Sequence, residues 1–154
     1  MLLLIQLILF PFPWFLRRPI LNLIPGFSFH KKAKVGLSVI FAESAILEDG
    51  ARITHFSFIN NIDRLQMKPY SKIGKSNWIT GANSKSRMFR DSERKCELIV
   101  GTHTRITGQH HIDCTGGVYI DDFTTVAGIR SQILSHSVDV KQSKQIAGAV
   151  YIGK

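Results

Sequence analysis

Acidic residues are in short supply in this 154-residue chain, where 11 Asp and Glu face 20 Lys and Arg for a formal charge of +9. That deficit favours anionic partners: a phosphorylated cofactor, an acidic membrane surface or a nucleic acid. The last fits poorly, because the basic residues are scattered and no aromatic-rich binding motif accompanies them. Cysteine is scarcer still. Cys96 and Cys114 form no CxxC and show no zinc-site spacing, which argues against a disulfide framework and points to a reduced, cytoplasmic setting. No apolar run reaches the roughly 20 residues of a membrane-spanning helix. Met1 to Phe10 is apolar apart from Gln6, but Pro11 and Pro13 break the run immediately beyond it. Nor does the start show the basic residues and small-residue cleavage site of a secretory signal.

The residues that are present suit one ordered domain. The hydrophobic content of 44% excludes general disorder, and the length allows a continuous core. Residues 1–29 separate as an apolar segment. From Trp14 to Phe27 it combines apolar groups with Arg17 and Arg18, a mixture that suits a helical stretch lying in a membrane interface. The other expectation is that it packs over the open end of the domain as a hydrophobic cap. The first reading places the protein at the inner face of a membrane, held by peripheral contact through residues 1–27.

Residues 30–154 keep a beat of six. Apolar residues fall at Val35, Phe41, Leu47, Ile53, Ile59 and Leu65, resume two residues out of frame at Ile73 and Ile79, and return at Val100, Ile106 and Ile112 before Ile120 and Val126. Four positions after these stand mostly small residues: Val39, Ala45, Ala51, Ser57, Thr104, Gly116 and Thr124. Gly or Ala often comes directly after the apolar residue, as at Gly36, Ala42, Gly74, Gly101, Ala127 and Gly153. Residues six apart do not share a face of an α-helix. The period instead predicts short strands joined by tight corners, three units closing a coil of about 18 residues that stacks on the next. Two stretches break the beat. Ser84 to Glu97 is dense in charge, with Lys85, Arg87, Arg90, Asp91, Glu93, Arg94 and Lys95, and Ser137 to Ala149 precedes a restart at Val150.

This pattern resembles the hexapeptide repeat of left-handed parallel β-helix proteins. The segment from Gln109 to Asp139 further resembles the sugar and polysaccharide O-acetyltransferases of that superfamily, in which a histidine ends a coil in a run like Ile-Leu-Thr-His-x-x-Asp before a loop and a restart. Ile133-Leu-Ser-His136-Ser-Val-Asp139 stands in that order here. The resemblance implies an all-β, left-handed solenoid with an apolar helical segment in front. It also implies an acetyltransferase using acetyl-CoA as co-substrate, with no metal, and His136 as the general base toward a sugar or polysaccharide hydroxyl. An imidazole suits that task because it titrates near neutrality. Asp113, about one coil earlier, corresponds to an aspartate that contacts the acceptor or orients the histidine, and Asp139 is the further substrate-binding candidate. The companion asparagine of those enzymes has no counterpart among Thr107, Gly108 and Gln109. Lys141 and Lys144 are candidates for coenzyme A phosphates.

Family members are usually homotrimers and continue for several more coils, so the resemblance also implies a domain that is incomplete at its C-terminal end. Two other readings stand beside this one. A non-catalytic β-helix would use the same repeat for structure alone. A zinc carbonic-anhydrase-like β-helix would use His103, His110 and His111, although adjacent histidines on a strand point to opposite sides. Cys114 reads as a packing residue, since nothing basic is arranged to lower its pKa.

Overall fold

The computed structural model describes residues 2–89 and 93–153; Arg90 and Asp91 of the charged stretch, and Lys154, lie outside the described residues. Strands dominate, with two short helices in front, α1 (Leu2–Leu9) and α2 (Trp14–Leu21), and one 3-10 turn at Arg87–Phe89. Apart from one antiparallel hairpin, the described strands pair in parallel with strands of the next coil, and three faces result.

The first face stacks Lys34–Val35, Arg52–Ile53, Lys72–Ile73, Arg105–Gly108 and Thr125–Ile129 in that order. The long strands Val39–Leu47 and Phe58–Met67 turn through a corner, so that one sheet serves the other two faces. On one of them Phe58–Asn60 pairs with Trp78–Thr80, which pairs with His111–Asp113 and then Gln132–Ile133. On the other, Arg64–Met67 pairs with Glu97–Val100, then Val118–Ile120, then Val150–Ile152. A fold of this kind is a consequence of the period: each coil alone has one apolar interior and unpaired backbone, and stacking satisfies both.

The recurring aliphatic residues fill the interior. Leu47, Ile53, Ile59, Leu65, Ile73, Ile79, Val100, Ile106 and Ile112 are almost wholly inaccessible, and Ile40, Met67, Leu98 and Val118 join them. Two positions depart from the expected beat. Phe41 points outward at 42% exposed while Ile40 is 2% exposed, because Ile40 lies in register with the buried Ile59 and Phe41 with Asn60. Successive residues of a strand face opposite sides, so only one of the pair can turn inward. Val126 is only partly covered.

The corners bring the coils very close. A Cβ on Gly74 would collide with the carbonyl oxygen of Thr107 on the next coil, so no larger residue fits without moving backbone. Small polar residues hold the same corners together. The Ser57 N–H donates to Ser38 Oγ (2.9 Å), the Asn77 N–H to Ser57 Oγ (3.1 Å) and the His110 N–H to Asn77 Oδ1 (3.0 Å). Each side chain thus accepts from the backbone one coil further on. Other corners are left-handed without glycine: Tyr70, His103 and Phe123 have φ of 58°, 54° and 58°. Such a conformation costs roughly 1–2 kcal/mol per residue. Their rings stack in a column, 4.9 Å and 5.4 Å between centroids, which offsets part of that cost.

The helices cover the first coil. Gln6 is buried and pairs with the Ile40 backbone both ways, its Nε2 donating to the carbonyl (2.7 Å) and its Oε1 accepting the N–H (2.9 Å). Trp14 Nε1 donates to the Ala33 carbonyl (2.6 Å), and Arg17 reaches the carbonyls of Val35 and Gly36. An edge strand would otherwise present these groups unpaired. The inner side of this segment thus lies against the first coil. The strand Phe27–Phe29 already pairs with Ala45–Leu47. No helix among the described residues is long and apolar enough to cross a membrane.

This register makes a direct prediction. Ile40→Ala removes a buried side chain and is expected to lower the unfolding free energy in urea by about 2–5 kcal/mol. Phe41→Ala, on the outer side, should cost less than about 1 kcal/mol. Equal losses would contradict the register.

Candidate functional site

Asp113 ends the strand His111–Asp113, where the second face turns toward the third. This corner lies at the other end of the face from the one held by Ser57 and Asn77, but Asp113 does similar work there: its Oδ2 accepts the Ser135 N–H one coil on (3.0 Å). As a carboxylate it takes more. Oδ2 also accepts from Ser135 Oγ (2.8 Å) and His136 Nδ1 (2.8 Å), while Oδ1 accepts from the Thr115 hydroxyl (2.6 Å) and, more distantly, its N–H (3.4 Å). Ser135 Oγ in turn accepts the Gly116 N–H (2.8 Å). The Asp113 side chain is only 6% exposed. Burial alone would push its pKa up, but the hydrogen bonds from Thr115, His136 and Ser135 outweigh burial and hold it below the ordinary 3.8.

An ionised carboxylate can only accept, so the hydrogen in the contact with His136 belongs to Nδ1. In the neutral imidazole that leaves Nε2 with its lone pair. The His136 side chain is 39% exposed, and its Nε2 has no hydrogen-bond partner among the described residues. This imidazole lines an open cleft of ≈ 240 Å³ with Thr80, Met88, Phe89, Thr115 and Gln145.

The two breaks in the repeat build the walls of this cleft. The second is an antiparallel hairpin, His136–Asp139 paired with Lys144–Ala147, and it packs against the turn Arg87–Phe89 of the first. Phe89 meets the His136 ring edge to face, 6.0 Å between centroids at 82°. Arg94 ties the first break to the corner: its guanidinium donates to the carbonyls of Ala82 (2.5 Å), Asn83 (3.1 Å) and Thr115 (2.8 Å). It also lies over the Phe89 ring at 4.6 Å. Phe89 is thereby held against His136 by a group that also touches the Asp113 corner.

Of the residues singled out in the sequence, the structure brings Asp113 and His136 together and leaves Asp139 apart. Asp139 Oδ1 accepts the N–H groups of Lys141 (2.9 Å) and Gln142 (3.1 Å) and shapes the hairpin turn. Lys141 and Lys144 are exposed in and beside that turn. His103 sits in the aromatic column, His110 is buried with Nε2 at 2.8 Å from Thr107 Oγ1, and His111 stands on a strand. They do not converge, and no group of three metal-ligating side chains occurs among the described residues. Cys114 is fully buried, and burial pushes its thiol well above the usual range, which leaves it a packing residue. Burial likewise raises Cys96, to about 11.

Thr115, Ser135, Phe89 and Arg94 were not singled out by sequence reasoning. A hydroxyl two residues after an aspartate is a common local hydrogen-bonding signal, and Thr115 could have been found that way. Nothing in the sequence pairs Arg94 with carbonyls on a distant corner. The chain matches no protein-family model, and no curated protein and no solved structure matches it.

The depressed pKa of Asp113 has a signed consequence. A carboxyl whose folded-state pKa lies below its unfolded value stabilises the fold above the unfolded value, and that contribution is lost as pH falls through the folded one. Asp113→Asn should therefore lower stability at neutral pH, by about 2–3 kcal/mol for the lost charged hydrogen bonds. The gap to the wild type should narrow in acid below about pH 4. Tm measured against pH for both chains checks this; a gap that widens on acidification would contradict it.

Proposed function

We propose that the chain is a left-handed parallel β-helix acyltransferase that moves an acetyl group from acetyl-CoA to a hydroxyl of a sugar or surface-polysaccharide precursor. The observation that carries the reading is the 2.8 Å contact between Asp113 Oδ2 and His136 Nδ1. It leaves an unpartnered Nε2 in an open cleft, which is what a general base for a hydroxyl needs. Two further features support it. The coil-to-coil pairing agrees with a β-helix, and the hairpin after His136 agrees with the histidine–loop–restart order of the resembled enzymes.

In the reaction, Nε2 takes the proton of the acceptor hydroxyl as its oxygen attacks the thioester carbonyl of acetyl-CoA. The carbon–oxygen bond forms, the carbon–sulfur bond breaks, and the imidazolium returns the proton to the departing thiolate. Asp113 is a positioning residue in this scheme. It fixes the ring and tautomer of His136, and its two oxygens are already occupied by the fold. Of the two roles expected for it, the orienting one has the support. The Arg94–Phe89 contact keeps the ring from swinging away. A cleft of ≈ 240 Å³ is below the usual range for ligand pockets, about 300–1,000 Å³, which favours a homotrimer in which a neighbouring copy completes the site. Two free, buried thiols agree with action in the cytoplasm.

The test is release of free coenzyme A from acetyl-CoA in the presence of a panel of sugar acceptors. His136→Ala should lower kcat by roughly 10²–10⁴-fold with little change in KM or Tm. Asp113→Asn should lower kcat less. A folded wild-type chain that neither binds acetyl-CoA nor turns it over would support a non-catalytic β-helix instead.

A further inference from the structure

The cap uses one of its sides only. Gln6, Leu9, Trp14, Arg17 and Leu21 turn to the first coil. On the other side Leu4, Ile8, Phe12, Phe15, Ile20 and Leu23 are exposed, Phe15 at 70% and Leu23 at 82%. Apolar residues scattered singly over a surface are ordinary, whereas a dense group on one element marks a contact. The charges that neighbour this group in sequence are all basic. The acidic residues folded beside them, Glu43 next to Gly26 and Asp49 against His30 and Lys32, leave several of those cations unpaired. No Asp or Glu precedes Glu43 in the chain, while Arg18, Lys31, Lys32 and Lys34 all do. Lys32 pairs with Asp49 at 3.4 Å; Arg18, Lys31 and Lys34 have no ion pair among the described residues. One coil on from Lys34 stands Arg52, its exposed register partner.

We propose that this outer face docks on an anionic phospholipid bilayer. The exposed side chains of α1 and α2 enter the boundary between headgroups and acyl chains, and Arg18, Lys31 and Lys34 meet lipid phosphates around them. Helix α1 has eight residues, about 12 Å, and so lies on the membrane rather than across it. The charge selects this occupant over a second copy of the chain, since apposing two such faces would set cation against cation. The proposal rests on no part of the transferase reading.

Cosedimentation of the full chain with vesicles tests it, using mixed phosphatidylglycerol and phosphatidylcholine in one arm and phosphatidylcholine alone in the other. The wild type should bind the anionic vesicles several-fold more tightly, and added salt should weaken that preference. Replacing Leu4, Ile8 and Phe15 together by Asp should abolish binding. Lys31→Glu with Lys34→Glu keeps the apolar face, tests the charge where the triple variant does not fold, and should weaken binding roughly fivefold or more for each cation. A folded wild type that stays in the supernatant with anionic vesicles overturns the proposal, and so does equal binding to both vesicle types. Self-association lost in the Asp variant, with no vesicle binding, assigns the face to a second copy and overturns it too.

Discussion

Every coil of this molecule takes its backbone hydrogen bonds from the coils above and below it, and that dependence governs the rest. A helix pairs its backbone within itself and leaves only four groups open at each end. Here a coil without a neighbour has donors and acceptors with nothing to meet. The cap answers that need at one end. Gln6 imitates a strand by offering an amide to Ile40, and Trp14 and Arg17 take carbonyls that another coil would have taken. The polar atoms that look out of place in an apolar segment are there because the sheet edge beneath them is polar.

The same dependence explains what could be read in the sequence. Stacking repeats the environment of a residue in the next coil, so aliphatic residues recur at fixed spacing and small ones recur where coils touch, as Ala45, Ala51, Ser57 and Thr104 show. All-β character and parallel coils come from that rhythm. Its failure at Phe41 is equally physical. Ile40 and Phe41 are both large and apolar, and only the pairing register, which sets Ile40 against Ile59, decides which turns inward. Left-handed corners at Tyr70, His103 and Phe123 were not legible, because glycine and asparagine are the usual signals and these residues are held by stacking instead.

At the site, His136 and Asp113 were legible only through resemblance to a family motif, since the chain separation between them says nothing of contact by itself. Their meeting is a product of the stack. Asp113 stands at the far end of the strand from the column of Ser57, Asn77 and His110, in register with Asn60 and Thr80. Like Ser57 and Asn77 it takes a backbone N–H from the next coil, and its carboxylate has a lone pair left for the adjoining imidazole. Structural and chemical tasks are thus combined in one side chain, which explains why Asp113 is so deeply hydrogen-bonded for a group beside an open cleft. Thr115, Ser135 and Arg94 stayed hidden because their roles depend on which corners lie over one another.

The two breaks in the repeat leave from corners, and the coils resume in register after each: Arg64 pairs with Glu97 across the first and Val118 with Val150 across the second. Lengthening a loop between fixed ends costs little, about 0.6 kcal/mol per doubling. The outer parts of both loops are therefore free to vary in length while His136 and Asp113 stay where the stack holds them. In evolutionary terms the scaffold separates invention from risk: insertions at these two points can reshape the surface beside the cleft without placing the fold itself under selection at every step.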